Sequence, residues 1–358
     1  MRLHVERRLD TPRWIRFAVP AAAVVLAFLF GAAIVASTGN SPPGVYLSML
    51  RGTFGSWYAL SETVVKAIPL MLTSLGVGVA MKMRLWNIGA AGQLLMGAFA
   101  ATWLALAFPE LPTAIMLPAL ILISFAAGGL WAGLAALPRA IWGISEIITT
   151  LMLNYVAALW IRYLVQGPWR DPILVLYPFS AEFPPSAKFA SLADTRIHLG
   201  LLIAVVIALI LLAVFHRTRW GYEVRVIGAS PVAARYAGMD VFRNILIAMI
   251  VSGGISGIAG MSELSGVFYR LQDNLAAGVG YTAIIIAALA QGNPIGILIV
   301  SFLFASLQVG GTAAQTAGIS ASIAYMLQGA VLFFVLGGDF FVRYRVTLLH
   351  RAKRPAQP

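Results

Sequence analysis

Long apolar runs alternate with short polar segments along almost the whole chain. A helix needs about 20 mainly apolar residues to cross a bilayer, and most of the runs approach that length. The pattern therefore predicts an all-α polytopic membrane protein with about ten transmembrane helices. The predicted helices are residues 17–37, 64–81, 88–108, 115–137, 147–166, 199–215, 245–262, 279–290, 294–309 and 321–338.

The eighth and ninth runs are short, and the segment AQGNPIGI at residues 290–297 separates them. Glycine and proline interrupt helices, because glycine adds backbone freedom and proline removes a hydrogen-bond donor. The two runs therefore form either two full crossings or one broken, re-entrant pair. Both arrangements remain open on the sequence.

The first run follows a basic stretch with five arginines between residues 2 and 16. A signal peptide has the same charge order, but its apolar region is usually only about 7–15 residues long. Because residues 17–37 form a longer apolar run, we predict an uncleaved first span.

The distribution of basic residues predicts the orientation of the chain in the membrane. Hydrophobic residues make up 60% of the sequence and charged residues only 11%, with a formal net charge of +12. If the N-terminus is cytoplasmic, 18 of the 25 Lys and Arg residues lie in inner segments and 6 in outer segments. Because basic residues concentrate on cytoplasmic loops, this split predicts that both termini are cytoplasmic. It also explains the positive charge without a nucleic-acid partner.

The spacing of the runs predicts one membrane domain, residues 1–358, and no soluble domain. Its helical bundle covers residues 17–338. The segments outside the membrane include a Pro-rich and aromatic external loop at 167–197, a cytoplasmic loop at 216–244 and a basic tail at 339–358.

Several kinds of chemistry are missing from the sequence. The chain has no cysteine and its four histidines lack metal-ligand spacing, so we predict no metal site. It has no phosphate-binding glycine loop and no catalytic set, which argues against an ATPase or another enzyme. Ion-coupled carriers usually keep acidic residues or histidines at membrane depth, whereas the predicted spans hold few ionisable groups. A transporter driven by a partner ATPase is therefore favoured, and a self-sufficient ion-coupled carrier is the alternative.

The cytoplasmic loop contains SPVAARYAGMD, which has the features of a short helix. Ser230 can cap its N-terminus, and Pro231 suits the first helical position. Gly238 is placed to end the helix. On these features alone, the segment is either an ordinary connecting helix or a knob that faces a cytoplasmic partner.

The same segment resembles the coupling loop of ABC importer permeases, whose pattern is Glu-Ala-Ala, three residues and then Gly. Ala233, Ala234 and Gly238 match this pattern, while Val232 stands where it has Glu. The longer segment RVIGASPVAARYAGMDVFRNILIAMIVSGGISGIAG is similar to permeases of simple-sugar and nucleoside importers, which work with basic-membrane-protein-like binding lipoproteins. GISEIITTLMLNYVA, WNIGAAGQLLMGA and NPIGI resemble other segments of this family, so the resemblance covers roughly residues 60–340.

This resemblance implies a permease subunit of an ATP-driven importer in the bacterial inner membrane. Its partners would be an ABC ATPase that binds ATP and Mg²⁺, a second permease in a heterodimer, and an external substrate-binding lipoprotein. The chain itself would bind no cofactor, and its solute would be a nucleoside or a simple sugar. The residues that the resemblance assigns to ATPase coupling are Pro231, Ala233, Ala234, Arg235 and Gly238.

Polar residues inside the predicted spans are candidates for a translocation pathway. Glu146, Thr150 and Asn154 recur every four residues and so share one helical face, but interhelical hydrogen bonds also explain such residues. Asn87 and Gln93 lie at a tight turn, and they either contact the solute or hold the hairpin closed. The candidate pathway residues are Asn87, Gln93, Thr150, Asn154, Ser256 and Gln328.

Small residues in the seventh predicted span recur at four-residue spacing. Gly253 with Gly257, and Ser256 with Gly260, follow the pattern that lets helices pack closely within a membrane. We therefore predict that this helix packs tightly against its neighbours at these positions.

Overall fold

The computed structural model describes residues 2–7, 12–173, 177–192, 195–315, 320 and 322–349, and these residues are mostly helical. Two short strands, β1 (Arg2–Arg7) and β2 (Tyr344–Leu349), lie near the ends of the chain. A π-helical turn, Leu264–Phe268, extends the tenth helix. The α-helices are α1 (Arg13–Ser37), α2 (Pro42–Phe54), α3 (Trp57–Lys82), α4 (Ala90–Ala107), α5 (Thr113–Trp142), α6 (Glu146–Gln166), α7 (Gly200–Arg217), α8 (Arg219–Ala229), α9 (Pro231–Tyr236), α10 (Val241–Glu263), α11 (Val279–Leu289), α12 (Pro294–Gln315) and α13 (Ser322–Arg343).

Seven of the described helices are long and apolar enough to cross a membrane: α3, α4, α5, α6, α7, α10 with its π-helical turn, and α12. An eighth span results if Ala21–Ser37 and α2 cross together, although they meet at a bend of 115°. The two other predicted spans coincide with α11 and with Tyr325–Val335 of α13, which are shorter apolar helices. The count of ten crossings therefore stays a prediction.

The chain divides into two compact units, Met1–Gly55 with Leu307–Pro358, and Ser56–Ser306. The second unit contains α3 to α11, the predicted cytoplasmic loop and nearly all of the polar candidates. The first unit contains one of them, Gln328. The interpretation of residues 1–358 as one membrane domain stays a prediction.

In the first unit, β1 and β2 pair as an antiparallel ribbon, with Arg2 opposite Leu349 and Arg7 opposite Tyr344. The sequence did not predict this ribbon, because almost the whole chain separates its two strands. β2 lies inside the predicted basic tail, of which residues 350–358 are outside the described part of the chain.

The bend between α1 and α2 also went unpredicted, since only the apolar run at 17–37 was recognised. Gly39 adopts a left-handed φ of +82°, which lets the backbone turn after α1. Pro42 then begins α2 at the position where proline fits a helix best. A small apolar core holds the bend in place and consists of Val35, Val45, Met49, Ala314 and Leu327.

In the second unit, α10 packs against α3, α4 and α5. Small side chains permit this close contact. A Cβ atom at Gly257 would lie closer than 3.0 Å to the carbonyl oxygen of Ser124 on α5, and one at Gly260 would overlap Leu94 on α4 in the same way. Gly253 also has no room for a Cβ atom. These contacts confirm the tight packing that the small-residue spacing predicts.

The predicted external loop folds back onto the end of α10 that lies opposite α8 and α9, which we call the outer end. The backbone N–H of Ser180 donates to the carbonyl oxygen of Leu271 at 3.0 Å, and that of Phe183 donates to Tyr269 at 2.9 Å. Phe183 is also fully buried. The described part of the loop is therefore a packed cap on this end of the bundle.

Ion pairs reinforce this cap at its surface. Glu182 accepts hydrogen bonds from Lys188 at 2.6 Å and from Arg270 at 2.9 Å, and Arg270 also pairs with Asp171. The hydrogen bonds from Lys188 and Arg270 lower the pKa of Glu182. This carboxylate consequently stays charged at mildly acidic pH and keeps its two partners in place.

A buried histidine lies beneath the cap, immediately before α7. The imidazole of His198 stacks on Phe189 with 5.7 Å between ring centroids, and its Nδ1 accepts a hydrogen bond from the Gly200 N–H at 3.2 Å. Burial, and to a lesser extent the charge of Arg196, lowers the pKa of His198 from 6.5 to about 4.

We expect His198 to make the protein less stable as the pH falls from 6.5 to about 4. In this range the imidazole of His198 binds a proton in the unfolded chain but not in the folded chain, so folding is disfavoured. Above pH 6.5 the imidazole is neutral in both states. The loss reaches ~3 kcal/mol at about 1.4 kcal/mol per pH unit. Unfolding of the full chain in detergent, measured across this range, checks the slope. His198→Asn can still accept from Gly200 but cannot titrate, so it should flatten the curve; an unchanged slope would contradict the assignment.

Candidate functional site

The segment that resembles a coupling loop forms a short capped helix between α8 and α10. The Ser230 hydroxyl accepts a hydrogen bond from the Ala233 N–H at 3.2 Å, and Pro231 occupies the first helical position. The helix ends at Tyr236, and Gly238 then reverses the chain with a φ of +74°. We call residues 230–238 the α9 knob.

The α9 knob presents most of its side chains to the surroundings. Ala234 is fully buried and anchors the helix, whereas Pro231, Ala233 and Arg235 of the predicted coupling set are exposed, as is Gly238.

The sequence reasoning missed two apolar residues on the knob. Val232 is 61% exposed and Tyr236 is 91% exposed. Their spacing of four places them on one face of α9, and the same spacing in the sequence could have indicated a contact surface there. An exposed apolar pair on so short a helix suits the approach of another protein.

Cavities flank the knob on both sides. One, of about 530 Å³, lies between α9 and the corner of α5 and α6, and Pro231, Arg235 and Arg139 are among its lining residues. The other, of about 450 Å³, lies between α8 and the start of α10 and includes Gly238 and Trp220 in its lining. The knob is therefore a ridge between two grooves.

The turn after the knob is tied directly to α10. The Asp240 carboxylate caps this helix by accepting a hydrogen bond from the Arg243 N–H at 3.0 Å. The Asn244 amide donates to Glu223 of α8 and to the carbonyl oxygen of Asp240, both at 2.9 Å. These bonds join α8, the turn and α10 to one another.

Further along α10, a pair of buried amides joins this helix to the hairpin between α3 and α4. Asn87 and Gln93 donate to each other through their amide groups, at 2.8 Å in both directions. The Asn87 amide also donates to the Ser252 hydroxyl at 2.8 Å. All three side chains are buried. The hairpin is therefore fixed to the middle of α10.

The polar face of α6 holds the same hairpin from the other side. The Asn154 amide accepts from the Gly92 N–H and donates to the Ile88 carbonyl oxygen, both at 2.7 Å. One turn earlier, the Thr150 hydroxyl donates to the carbonyl oxygen of Glu146 at 2.6 Å. These residues lie on one helical face, as their spacing predicts.

Glu146 completes this arrangement at the N-terminal end of α6. Its carboxylate accepts a hydrogen bond from the Trp86 N–H at 3.1 Å and lies 3.3 Å from the Arg139 guanidinium. Arg139 lines the larger groove beside the α9 knob. The polar face of α6 therefore connects Arg139, beside that groove, to the backbone of the hairpin that carries the amide pair.

The two remaining pathway candidates lie elsewhere. The Ser256 hydroxyl donates to the carbonyl oxygen of Ser252 within α10, at 3.0 Å. Gln328 belongs to the other compact unit, where its buried amide nitrogen has no hydrogen-bond partner among the described residues. The structure thus brings five of the six candidates into one unit, and their role in translocation stays a prediction. Within the described chain, no group of three metal-ligating side chains is present.

Asn87→Leu is expected to destabilise the folded chain by on the order of 1–3 kcal/mol, because the buried amide of Gln93 loses its partner. The double variant Asn87→Leu/Gln93→Leu should recover most of this loss, since both polar groups are removed together. Ser252 can then turn its hydroxyl to its own helix. Thermal unfolding of the three proteins checks the order, and a single variant as stable as the wild type would contradict it.

Uptake by the stable double variant separates the two roles: normal uptake assigns the amides to the hairpin, and lost uptake assigns them to the pathway.

Comparison with known proteins agrees with this architecture. Residues 59–336 match the family model described as the branched-chain amino acid transport system permease component. A glucose ABC transporter permease of Haloferax volcanii is 35% identical over 96% of this chain and 93% of its own. A nucleoside ABC transporter permease of Lactococcus lactis is 31% identical, over 88% of this chain and 90% of its own. A guanosine ABC transporter permease of Bacillus subtilis is likewise 31% identical, over 91% and 94%.

These matches cover the helical bundle, the amide pair and the α9 knob together. They confirm the resemblance found in the sequence and favour it over a self-sufficient ion-coupled carrier. Seven described helices that can cross a membrane suit a multi-pass membrane protein. The chain therefore belongs to the branched-chain amino acid transport system permease family and is a membrane-embedded ABC transporter permease subunit.

Proposed function

We propose that this permease imports nucleosides, driven by an ABC ATPase that binds ATP and Mg²⁺ and docks on the α9 knob. The observation that carries this proposal is the shape of the knob: a capped helix with Val232 and Tyr236 exposed, standing between two grooves. Movement of the ATPase would displace the knob, and the bonded turn at Asp240 would pass the displacement to α10. Pro231, Ala233, Ala234, Arg235 and Gly238 are the proposed coupling residues.

The choice of solute rests on the relatives. Two of the three relatives described above are permeases for nucleosides or guanosine, which favours a nucleoside. Simple sugars are the second candidate, because the relative with 35% identity is a glucose permease. Either solute carries several hydroxyl groups, so the pathway needs hydrogen-bonding groups at membrane depth.

In the proposed orientation, the knob and both termini are cytoplasmic and the external loop faces the substrate-binding lipoprotein. The basic residues of α8 and the α9 knob support this orientation.

α11 has 11 residues and is therefore only about 16 Å long, against a hydrocarbon core of about 30 Å. It can complete a crossing only together with the segment that precedes it. With α12 and α13 as further spans, the proposed total is ten. A second permease subunit would complete the pathway as a heterodimer.

Reconstitution tests the proposal. The chain, its ATPase and the second permease are placed in vesicles with the lipoprotein outside, and uptake of labelled guanosine and glucose is measured. We expect uptake of guanosine that requires ATP inside the vesicle, and no uptake by the chain alone under a proton or sodium gradient. ATP-dependent uptake of glucose alone would reject the nucleoside assignment. Gradient-driven uptake without the ATPase would reject the coupling mechanism.

A further inference from the structure

After α10, the chain turns back from the outer end through residues 271–278, which do not form a regular helix. We call these residues the return segment. At its start, Leu271 accepts a hydrogen bond from the Ser180 N–H of the external loop and is completely buried. The return segment therefore begins at the outer end of the bundle.

The return segment ends deep in the membrane. A Cβ atom at Gly280, in the first turn of α11, would lie 2.7 Å from the Cβ of Ala91 at the start of α4. A Cβ atom at Gly260 of α10 would overlap Leu94 on α4, one helical turn after Ala91. From Gly260 to the outer end at Phe268 there is about 12 Å of helix, and the turn from Leu94 back to Ala91 adds about 5 Å. The return segment consequently ends about 17 Å inward from the outer end, which is about half of a hydrocarbon core of about 30 Å.

Such a backbone has few permitted surroundings. Non-helical segments leave N–H and C=O groups without regular partners, and lipid cannot satisfy them. They occur at membrane depth only where they are buried in protein or line a water-filled cavity. Broken helices of this kind form the solute sites of many transporters.

The return segment is not buried along its whole length, and its exposed surface is polar. Asp273, Asn274, Ala277 and Gly278 are exposed. Among the described residues, neither Asp273 nor Asn274 has an ion pair or a side-chain hydrogen bond. Asp273 and Asn274 directly follow Gln272, which pairs with Phe179 of the external loop, so they lie at the outer mouth of the segment. Ala277 and Gly278 expose non-helical backbone deeper in the bundle, where such backbone does not face lipid. The exposed surface of the return segment therefore faces water or a polar solute.

An aromatic ring adjoins the polar surface. Tyr281 lies directly after Gly280 in the first turn of α11, and its side chain is 53% exposed. Tyrosine usually concentrates at the membrane interfaces, so a half-exposed ring at the level of Ala91 is unusual. Its flat face suits stacking with a planar ring.

We propose that the return segment and Tyr281 line the solute pathway of this permease. Asp273 and Asn274 supply hydrogen bonds to the hydroxyl groups and polar edge of the solute, and Tyr281 stacks on its planar base. The chemical class is a polyhydroxylated molecule with an aromatic ring, and this part rests on the proposed nucleoside function. The aqueous character of the segment follows from its depth and exposure alone.

Cysteine accessibility tests the pathway directly, because the natural chain contains no cysteine. Asn274→Cys and Ala277→Cys are made separately, so that one remains available if the other does not fold. The control for lipid exposure is Leu209→Cys on α7, where Leu209 is exposed. The control for static solvent exposure is Ala190→Cys, at an exposed position in the external loop. Each variant is labelled with a membrane-impermeant thiol reagent in the reconstituted complex.

We expect the return-segment cysteines to react severalfold faster than Leu209→Cys. Their rate should also change severalfold when nucleotide is trapped on the ATPase, whereas Ala190→Cys should react at a constant rate. Labelling as slow as at Leu209→Cys would overturn the proposal, because the segment would then face lipid. Labelling that never responds to solute or nucleotide would also overturn it, because the segment would then be an ordinary outer loop.

The solute is tested separately from the pathway. Guanosine should slow labelling of Ala277→Cys severalfold, and Tyr281→Leu should raise the KM for guanosine severalfold while Tyr281→Phe leaves it unchanged. Equal KM values for the leucine and phenylalanine variants would overturn the stacking role. If the complex takes up no guanosine but labelling still follows the nucleotide state, the nucleoside assignment fails and the pathway stands.

Discussion

Gly238→Asp is expected to abolish ATP-driven uptake in a chain that still inserts and assembles. Gly238 has a left-handed φ of +74°, and a Cβ atom there would meet nothing within 4 Å. The new side chain therefore meets open space within this protein, and aspartate is among the residues that best tolerate this conformation. The substitution therefore affects the docking of a partner protein on the α9 knob. A charged side chain at the tip of the knob would hold the ATPase away from it.

A second glycine provides a matched control for backbone strain. Gly39 has a φ of +82° and also has nothing within 4 Å of a Cβ atom, but it lies in the turn between α1 and α2. Gly39→Asp carries the same strain and the same charge without touching the knob, and we expect it to transport normally. Uptake and co-purification of the ATPase are measured for both variants. Normal uptake by Gly238→Asp, or an equal loss in both variants, would reject the coupling role of the knob.

Gly257→Val is expected to prevent the second unit from folding. A Cβ atom at this position would lie closer than 3.0 Å to the backbone of Ser124, and Gly97 on α4 packs directly against the same glycine. Neither neighbour is a flexible side chain that could move aside, so α4, α5 and α10 would have to separate. Overpacking usually costs about 1–3 kcal/mol, and contact with backbone on two sides places this variant beyond that range.

Gly133→Val on α5 is the matched control for this prediction. A Cβ atom at Gly133 makes ordinary contacts of 3.4 and 3.8 Å with the flexible end of Ile250. We expect this variant to fold at close to the wild-type yield, while Gly257→Val gives aggregated or degraded chain. The yield of monodisperse protein and the Tm of what is recovered measure the difference. Equal behaviour of the two variants would contradict the close packing of α10.

The local structure of the α9 knob could be predicted from the sequence because it depends on neighbouring residues. The Ser230 cap, the proline after it and the left-handed glycine at 238 each act within a few residues, and all three occur where they were predicted. The shared face of Thr150 and Asn154 was readable for the same reason, since helical periodicity alone determines it. Close packing at Gly257 was predicted from the four-residue spacing of small residues, but the sequence did not identify α5 as its partner.

The pairings between distant residues could not be predicted. Asn87 and Gln93 were recognised as polar residues that need partners, but only the folded chain brings them to each other and to Ser252. The return segment was missed for a similar reason: its residues lie between two predicted spans, and their depth becomes evident only from the contact of Gly280 with Ala91.

Residue composition and short-range patterns are sufficient to predict the membrane class, the family resemblance, the local form of the α9 knob and the small-residue face of α10. Each follows from composition or from interactions within a turn or two of helix. The bend at Gly39, the ribbon of β1 and β2, the amide pair and the descent of the return segment become evident only in the folded chain. These features depend on which distant segments pack together. In a bilayer an apolar helix face can contact lipid as favourably as it contacts another helix, so hydrophobicity does not select the partner. Hydrophobicity therefore specifies that a helix crosses the membrane, whereas the partners of its few polar and glycine residues depend on the packed bundle.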